Sequence, residues 1–139
     1  MNDLRQRPME AALAWERTFG IAPCITSALS EFDAAMLIGR SPEEYSASMC
    51  DATGVGKGHD FTFNISRYQV KANRPSVKPG SFITLVPKAK NYEWDFLIWL
   101  LYDQQYQIQE ARLLGAHKAA FDSIKRLSPS QYRKGKRLV

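Results

Sequence analysis

Residues 58–71, which read GHDFTFNISRYQVK, constrain the fold of this chain more than any other segment. Apolar and polar side chains alternate over residues 61–65, which is the period of a half-buried β-strand. A short polar turn separates this run from a second alternating run. We therefore predict a tight hairpin of two strands, and the second strand projects three polar side chains from one face: Arg67, Gln69 and Lys71.

The acid that precedes the first predicted strand can lie beside the end of the second. Asp60 would then meet Gln69 and Lys71, so that a carboxylate, an amide oxygen and an ammonium group converge. Such a set can hold a divalent metal ion and polarise a water molecule. The alternative is that Asp60 only caps a turn and that Gln69 and Lys71 belong to a solvated strand face.

Composition places the chain among ordinary globular proteins. It has 139 residues, of which 45% are hydrophobic and 24% charged, so we expect one domain with its own core. Cys24 and Cys50 lie far apart and match no metal-binding spacing, which is typical of a reducing compartment. The first residues are polar, and the longest apolar run, residues 96–102, is too short to span a membrane. We therefore expect a cytoplasmic protein.

The net charge of +5 is unevenly distributed along the chain. Residues 61–92 contain six basic and no acidic side chains, and residues 123–139 contain another six basic side chains and no acid. The remainder of the chain is acidic. This pattern favours a polyanionic partner, and nucleic acid is the leading candidate. The alternative is a solvated strand face followed by a disordered basic tail.

Three helices are predicted before the hairpin. The first spans residues 8–19, begins with Pro8 in its first turn and buries an apolar side formed by Met9, Ala12, Leu13 and Trp15. The second begins near Ser27 or Ser30 and ends at Ile38, and a short third helix begins at residue 41. Glu31 shares a face of the second helix with Ala28 and Ala35. From that small-residue face its carboxylate can lie close against neighbouring strands.

Strands dominate the prediction after the hairpin. We predict strands over residues 81–86, 96–102 and 106–111, and then a helix from residue 115 or 116 to 124. Residues 1–128 would form a single domain, and residues 129–139 would form a basic C-terminal tail. This order of elements predicts an α/β domain, at the border with α+β, that is built on one sheet.

These residues resemble the pattern of the PD-(D/E)xK nuclease superfamily. The pattern is a helical acid, an Asp on a strand, and a following strand that ends in an acid or Gln, any residue, and Lys. This chain supplies Glu31, Asp60 and the run from Gln69 to Lys71. The Gln-x-Lys form is similar to that of Mrr-like restriction endonucleases, and Glu31 resembles the helical Glu of Holliday junction resolvases.

The resemblance implies a restriction endonuclease-like core with a central mixed sheet of about five strands. It also implies Mg²⁺- or Mn²⁺-dependent hydrolysis of phosphodiester bonds. Asp60, the Gln69 side-chain oxygen, the Val70 carbonyl and Glu31 would hold the metal. Lys71 would orient the attacking water or stabilise charge on the phosphate. Because Gln69 stands where the family has an acid, Glu31 would have to supply the second carboxylate.

The implied substrate is nucleic acid, with double-stranded DNA expected, in a restriction, defence or DNA-processing role. The basic side chains expected to contact it are Lys57, Arg67, Arg74, Lys78, Lys88, Lys90, Arg133, Lys134, Lys136 and Arg137. The family resemblance further suggests a homodimer, since cutting both strands of a duplex needs two sites. The alternative is a catalytically inactive protein of the same fold that binds nucleic acid or acts as a regulatory subunit.

Overall fold

The fold is that of a computed structural model, which describes residues 3–50, 60–76, 93–115 and 126–139 together with positions 83, 86 and 124. The described helices are α1 (Asp3–Phe19), α2 (Thr26–Leu37), α3 (Pro42–Cys50) and α4 (Pro129–Tyr132). The described strands are β1 (Phe61–Phe63), β2 (Ser66–Asn73), β3 (Phe96–Tyr102), β4 (Ile108–Gly115) and β5 (Lys136–Arg137). They form one sheet in the order β1-β2-β3-β4-β5, in which only β2 and β3 run parallel. The mixed sheet of five strands confirms the predicted α/β or α+β class.

The predicted hairpin is present as β1 and β2. The two strands are antiparallel, with Phe61 opposite Tyr68, and their rings stack 5.2 Å apart. Asn64 turns the chain at a φ of 56°, a left-handed conformation that Asn adopts more readily than most residues. Because β1 pairs only as far as Tyr68, the second half of β2 extends beyond it along the sheet edge.

The central strand β3 has the bounds that the sequence predicts. It pairs with β2 on one side and β4 on the other, and it is almost entirely buried. A strand that is buried on both faces has a continuous apolar sequence, and the apolar run over residues 96–102 therefore predicts β3 correctly. One face carries Ile98 and Leu100 against α2, and the other carries Trp99 against Tyr132 of α4.

The strand predicted over residues 106–111 lies further along the chain, at Ile108–Gly115. The turn before it is longer than expected because the Asp103 carboxylate accepts hydrogen bonds from the backbone N–H groups of Gln105 and Gln107. Tyr106, expected to begin the strand, instead lies in this turn at a φ of 61° with a buried side chain.

Helix α1 differs from its prediction at both its start and its buried face. It begins at Asp3, so that Pro8 lies inside the helix and not in its first turn. Met9 and Ala12 are buried as expected, but Trp15 is exposed and Glu16 is buried in its place. The reason is a long-range ion pair, since both Glu16 oxygens accept hydrogen bonds from the Arg74 guanidinium at 2.7 and 3.0 Å.

Residues 129–139, predicted to be a tail, are part of the folded unit. α4 is capped by the Ser128 and Gln131 side chains, and Tyr132 is fully buried beneath the sheet. β5 then pairs with β4, and the Leu138 N–H donates to the Ala111 carbonyl at 2.8 Å. The basic segment therefore packs against the sheet, because it contains an apolar anchor.

Several predictions fall outside the described residues. They are most of the strand predicted over residues 81–86, most of the helix predicted from residue 115 or 116 to residue 124, and the candidate contacts Lys57, Lys78, Lys88 and Lys90. Val86 is described, and it forms an isolated antiparallel bridge with Leu127. Among the described helices, none has the length and apolar character that crossing a membrane requires.

Candidate functional site

A pocket of about 270 Å³ opens beside the start of β1, where β2 continues along the sheet edge. The first half of α2 forms one wall and the hairpin forms the other. Its lining residues are Thr26, Ser27, Ser30, Glu31, Asp60, Gln69, Val70, Lys71 and Ala72. All five residues that the sequence assigns to catalysis or metal binding therefore line one cavity, although they come from three segments of the chain.

Asp60 is held at this edge by the backbone of β2. Its N–H donates to the Tyr68 carbonyl at 2.8 Å, which fixes the residue beside the second strand. Its side-chain Oδ2 then accepts hydrogen bonds from the Val70 N–H at 2.7 Å and from the Gln69 amide nitrogen at 2.9 Å. The Asp60 carboxylate thus binds the edge of β2 just beyond Tyr68, the last residue of β2 that pairs with β1.

Gln69 turns its amide nitrogen to Asp60 in this structure, because an ionised carboxylate accepts hydrogen bonds and donates none. Rotation of the terminal amide by half a turn exchanges the two atoms. Gln69 can therefore present its oxygen to a cation at this position, at the cost of one hydrogen bond to Asp60.

Val70 contributes its backbone to the site while its side chain packs in the core against Ala34 and Ala35. In a β-strand, the N–H and C=O of one residue point to the same side. Because the Val70 N–H points at Asp60, the Val70 carbonyl also faces this edge. This direction agrees with the predicted role of the carbonyl as a metal ligand.

Glu31 faces the pocket from α2. Burial and, after it, the negative charge of Asp60 together raise the pKa of this carboxyl to about 7. Glu31 also contributes, after burial, to raising the pKa of Tyr45 to about 12. A half-buried acid whose ionisation is disfavoured by a neighbouring carboxylate indicates a place where a bound cation would be stabilising.

The donor set fits a hard divalent cation. Two carboxylates, one amide and one backbone carbonyl are oxygen donors of the kind that Mg²⁺ and Mn²⁺ take, and Mg²⁺ commonly uses one or two carboxylates and keeps several waters. Within the described part of the chain, no group of three or more His, Cys, Asp or Glu side chains could form a denser metal cluster. A metal at this site would therefore depend on Asp60 and Glu31 together.

Lys71 lines the same cavity two residues along β2 from Gln69, and the alternation of a β-strand directs these two side chains to one face. Opposite it, α2 supplies the hydroxyl residues Thr26, Ser27 and Ser30. Sequence reasoning assigned the serines only to the start of the helix and missed their place in the pocket. Ser30 is buried, and its hydroxyl donates to the Ser27 carbonyl at 2.9 Å.

The described basic residues that are predicted to contact nucleic acid divide into a buried group and an exposed group. Arg74 is not exposed, as a contact for nucleic acid would have to be. Its side chain is only 7% exposed and pairs with Glu16, and its guanidinium carbon lies 4.2 Å from the centre of the Tyr106 ring. It therefore links α1 to the sheet and is not a surface contact for nucleic acid. Arg67 pairs with Asp95 on the surface, and Arg133 pairs with Glu110.

The remaining described candidates for contact with nucleic acid are exposed around β5. They are Lys134, Lys136 and Arg137.

A second buried network was not foreseen from the sequence. Asp33 accepts hydrogen bonds from Arg5 and from the Tyr102 hydroxyl, the latter at 2.6 Å, and joins α1, α2 and β3. Because it lies among core residues and away from the pocket, we assign it a structural role.

Comparison with protein families finds no family model that matches this chain, and comparison with curated proteins finds no significant match. The resemblance to PD-(D/E)xK nucleases consequently rests on the short sequence motif alone.

Proposed function

We propose that this protein hydrolyses phosphodiester bonds in nucleic acid with the help of a divalent metal ion, and that its substrate is DNA. One observation carries the proposal: Glu31, Asp60, Gln69, Val70 and Lys71 line a single open pocket. An incidental scatter of polar residues would not be expected to bring a helical acid, a strand acid and a Lys to one cavity. The basic residues around β5 support a polyanionic substrate.

Each residue has a distinct role in this proposal. Asp60 and Glu31 provide the negative charge that binds the cation, and the Val70 carbonyl and Gln69 amide complete the protein's share of the ligands. A bound Mg²⁺ ion supplies charge neutralisation at the phosphate and lowers the pKa of a coordinated water. Lys71 donates a hydrogen bond to the phosphate oxygen on which charge accumulates, or holds the attacking water in line.

Cleavage of supercoiled plasmid DNA in the presence of Mg²⁺ or Mn²⁺ tests the proposal. We expect Asp60→Ala and Lys71→Ala each to lower the cleavage rate by about 10²- to 10³-fold, because each removes charge that acts on the reacting phosphate. Glu43→Ala is the matched control, since Glu43 is an exposed acid in the first turn of α3 and away from the pocket lining. Cleavage that is unchanged in both pocket variants would overturn the site assignment.

A second candidate is a nuclease-like protein that binds DNA without cutting it. The observation in its favour is that Asp60 Oδ2 already accepts two hydrogen bonds, while Gln69 occupies the place of a third acid. For this candidate we expect DNA retention on gels at low salt, with no strand breaks in Mg²⁺ or Mn²⁺. Absence of any DNA or RNA binding would remove both candidates together.

A further inference from the structure

Helix α1 carries an apolar stripe on its solvent side, in addition to the face that packs on the domain. The core-facing residues Met9 and Ala12 are buried with Leu29 and Tyr106. The outer stripe consists of Leu4, Pro8, Ala11, Trp15 and Phe19, all of them exposed. Its first four members are spaced by four, three and four residues, which is the spacing of a seam between two packed helices.

Two buried ion pairs fix α1 in this orientation. Arg5 pairs with Asp33 at 2.6 Å near the start of the helix, and Glu16 pairs with Arg74 at 2.7 Å near its end. Rotation of α1 to bury the outer stripe would break both pairs and leave charges unsatisfied in the interior. The stripe is therefore a fixed feature of the surface.

The stripe, together with Ile21 just after the helix, has an exposed apolar area in the range of the largest patch on a typical monomer, which is often a functional surface. Leu4, Trp15, Phe19 and Ile21 are 79%, 55%, 62% and 77% exposed, which leaves on the order of 400 Å² of apolar side chain in solvent. The Trp15 and Phe19 rings lie 4.5 Å apart and form one continuous ridge. A specific interface buries at least about 500 Å² on each partner, so this ridge with Pro8, Ala11 and the flanking residues reaches the size of a dimer contact.

We propose that two copies of the chain associate through α1, with the two helices antiparallel about a two-fold axis beside Ala11. In that arrangement Phe19 of one copy faces Leu4 of the other, and Trp15 faces Pro8. Each aromatic ring thus meets a smaller side chain, and the small Ala11 at the centre allows the helices to approach closely. A parallel pairing would instead stack the bulky residues of both copies at one end.

The charges on the exposed polar face of α1 favour a protein partner over a lipid surface. Arg7, Glu10 and Arg17 lie on this face, so both signs are present. A helix that lies on a membrane usually carries a strongly cationic polar face. A two-fold contact is isologous, so one patch serves both copies and needs no second surface on the molecule.

Sedimentation equilibrium of the full chain over a range of concentrations tests the association. We expect a reversible monomer–dimer equilibrium in which Trp15→Glu raises the dissociation constant by at least about 30-fold. Ile65→Glu is the matched control, because Ile65 is an apolar residue that is 98% exposed at the hairpin tip, and it should leave the equilibrium unchanged. Monomers at every concentration, or dimers that survive Trp15→Glu, would overturn the proposal.

The antiparallel arrangement has its own test. In a background with Cys24→Ser and Cys50→Ser, mixed Leu4→Cys and Phe19→Cys chains should form a disulfide on mild oxidation, whereas Leu4→Cys alone should not. Rapid cross-linking of Leu4→Cys to itself would contradict the antiparallel pairing. Acrylamide quenching gives a readout in the native sequence, since Trp94 and Trp99 are buried and Trp15 should become protected as dimers form.

The dimer proposal is independent of the proposed catalytic function. The stripe lies on α1, and none of the pocket-lining residues belongs to that helix. Trp15→Glu should therefore leave Mn²⁺ binding at the pocket unchanged, while Asp60→Ala should leave the dimer intact. Failure of either proposal can thus be recognised without reference to the other.

Discussion

Replacing Glu31 with Gln should stabilise the folded protein at high pH and weaken its metal binding. Burial and the neighbouring Asp60 raise the pKa of Glu31 from its ordinary value of 4.5 to about 7. The unfolded chain ionises Glu31 near the ordinary value, while the folded protein retains the proton to a higher pH. Stability should therefore fall as the pH rises between these two values, and Glu31→Gln should abolish this part of the loss.

The magnitude follows from the size of the shift. Each pKa unit corresponds to about 1.4 kcal/mol, so a shift of this size has an upper bound of about 3 kcal/mol. Glu31 keeps part of its contact with solvent, and screening reduces the expected effect to about 1–2 kcal/mol. We expect Glu31→Gln to raise the free energy of unfolding by this amount at pH 8.5 and to leave it nearly unchanged at pH 4.5.

Urea unfolding followed by Trp fluorescence, with EDTA present, measures this difference. Glu43→Gln is the control and should have the opposite sign, a loss of about 0.3–1 kcal/mol, because Glu43 favours the N-terminus of α3. With Mg²⁺ at ten times its dissociation constant, the wild type should gain about 1.4 kcal/mol and Glu31→Gln much less. An equal effect of Glu31→Gln at both pH values, or a destabilisation at pH 8.5, would refute the reasoning.

Three further predictions concern the corrected parts of the fold. Arg74→Met should lower the free energy of unfolding by about 3–5 kcal/mol by leaving the Glu16 carboxylate buried without its ion pair, and it should leave the salt dependence of DNA affinity unchanged. Truncation after Ser128 should lower the thermal midpoint strongly in calorimetry, because it removes the fully buried Tyr132 and the β5 pairing; an unchanged midpoint would contradict the packing of α4. Lys136→Ala should reduce the slope of log affinity against log salt by about 0.9 if this exposed side chain contacts a phosphate.

The sequence predicted those elements whose signal is local. The hairpin follows from alternation on either side of Asn64, and β3 follows from a continuous apolar run over Phe96–Tyr102. The convergence of Asp60 with Gln69 also follows from hairpin geometry, because a turn of fixed length sets which residues lie opposite each other.

Features that depend on distant partners could not be predicted in this way. Glu16 and Arg74 are separated by 58 positions, and neither carries a periodic signal that reveals the other. Tyr132 is the one aromatic residue in the basic segment 129–139, so the charge pattern concealed its role as an anchor. The rotamer of Gln69 is a choice between two amide orientations, and only the neighbouring carboxylate decides it.

Titration of the protein with Mn²⁺, by calorimetry or by the paramagnetic resonance of the free ion, tests the central claim most directly. We predict one site per chain, which is lost in Asp60→Ala, weakened in Glu31→Gln and retained in Glu43→Gln. Mn²⁺ binding that is absent in the wild type, or that persists unchanged in Asp60→Ala, would contradict the assignment of this pocket as a metal-dependent phosphodiesterase site.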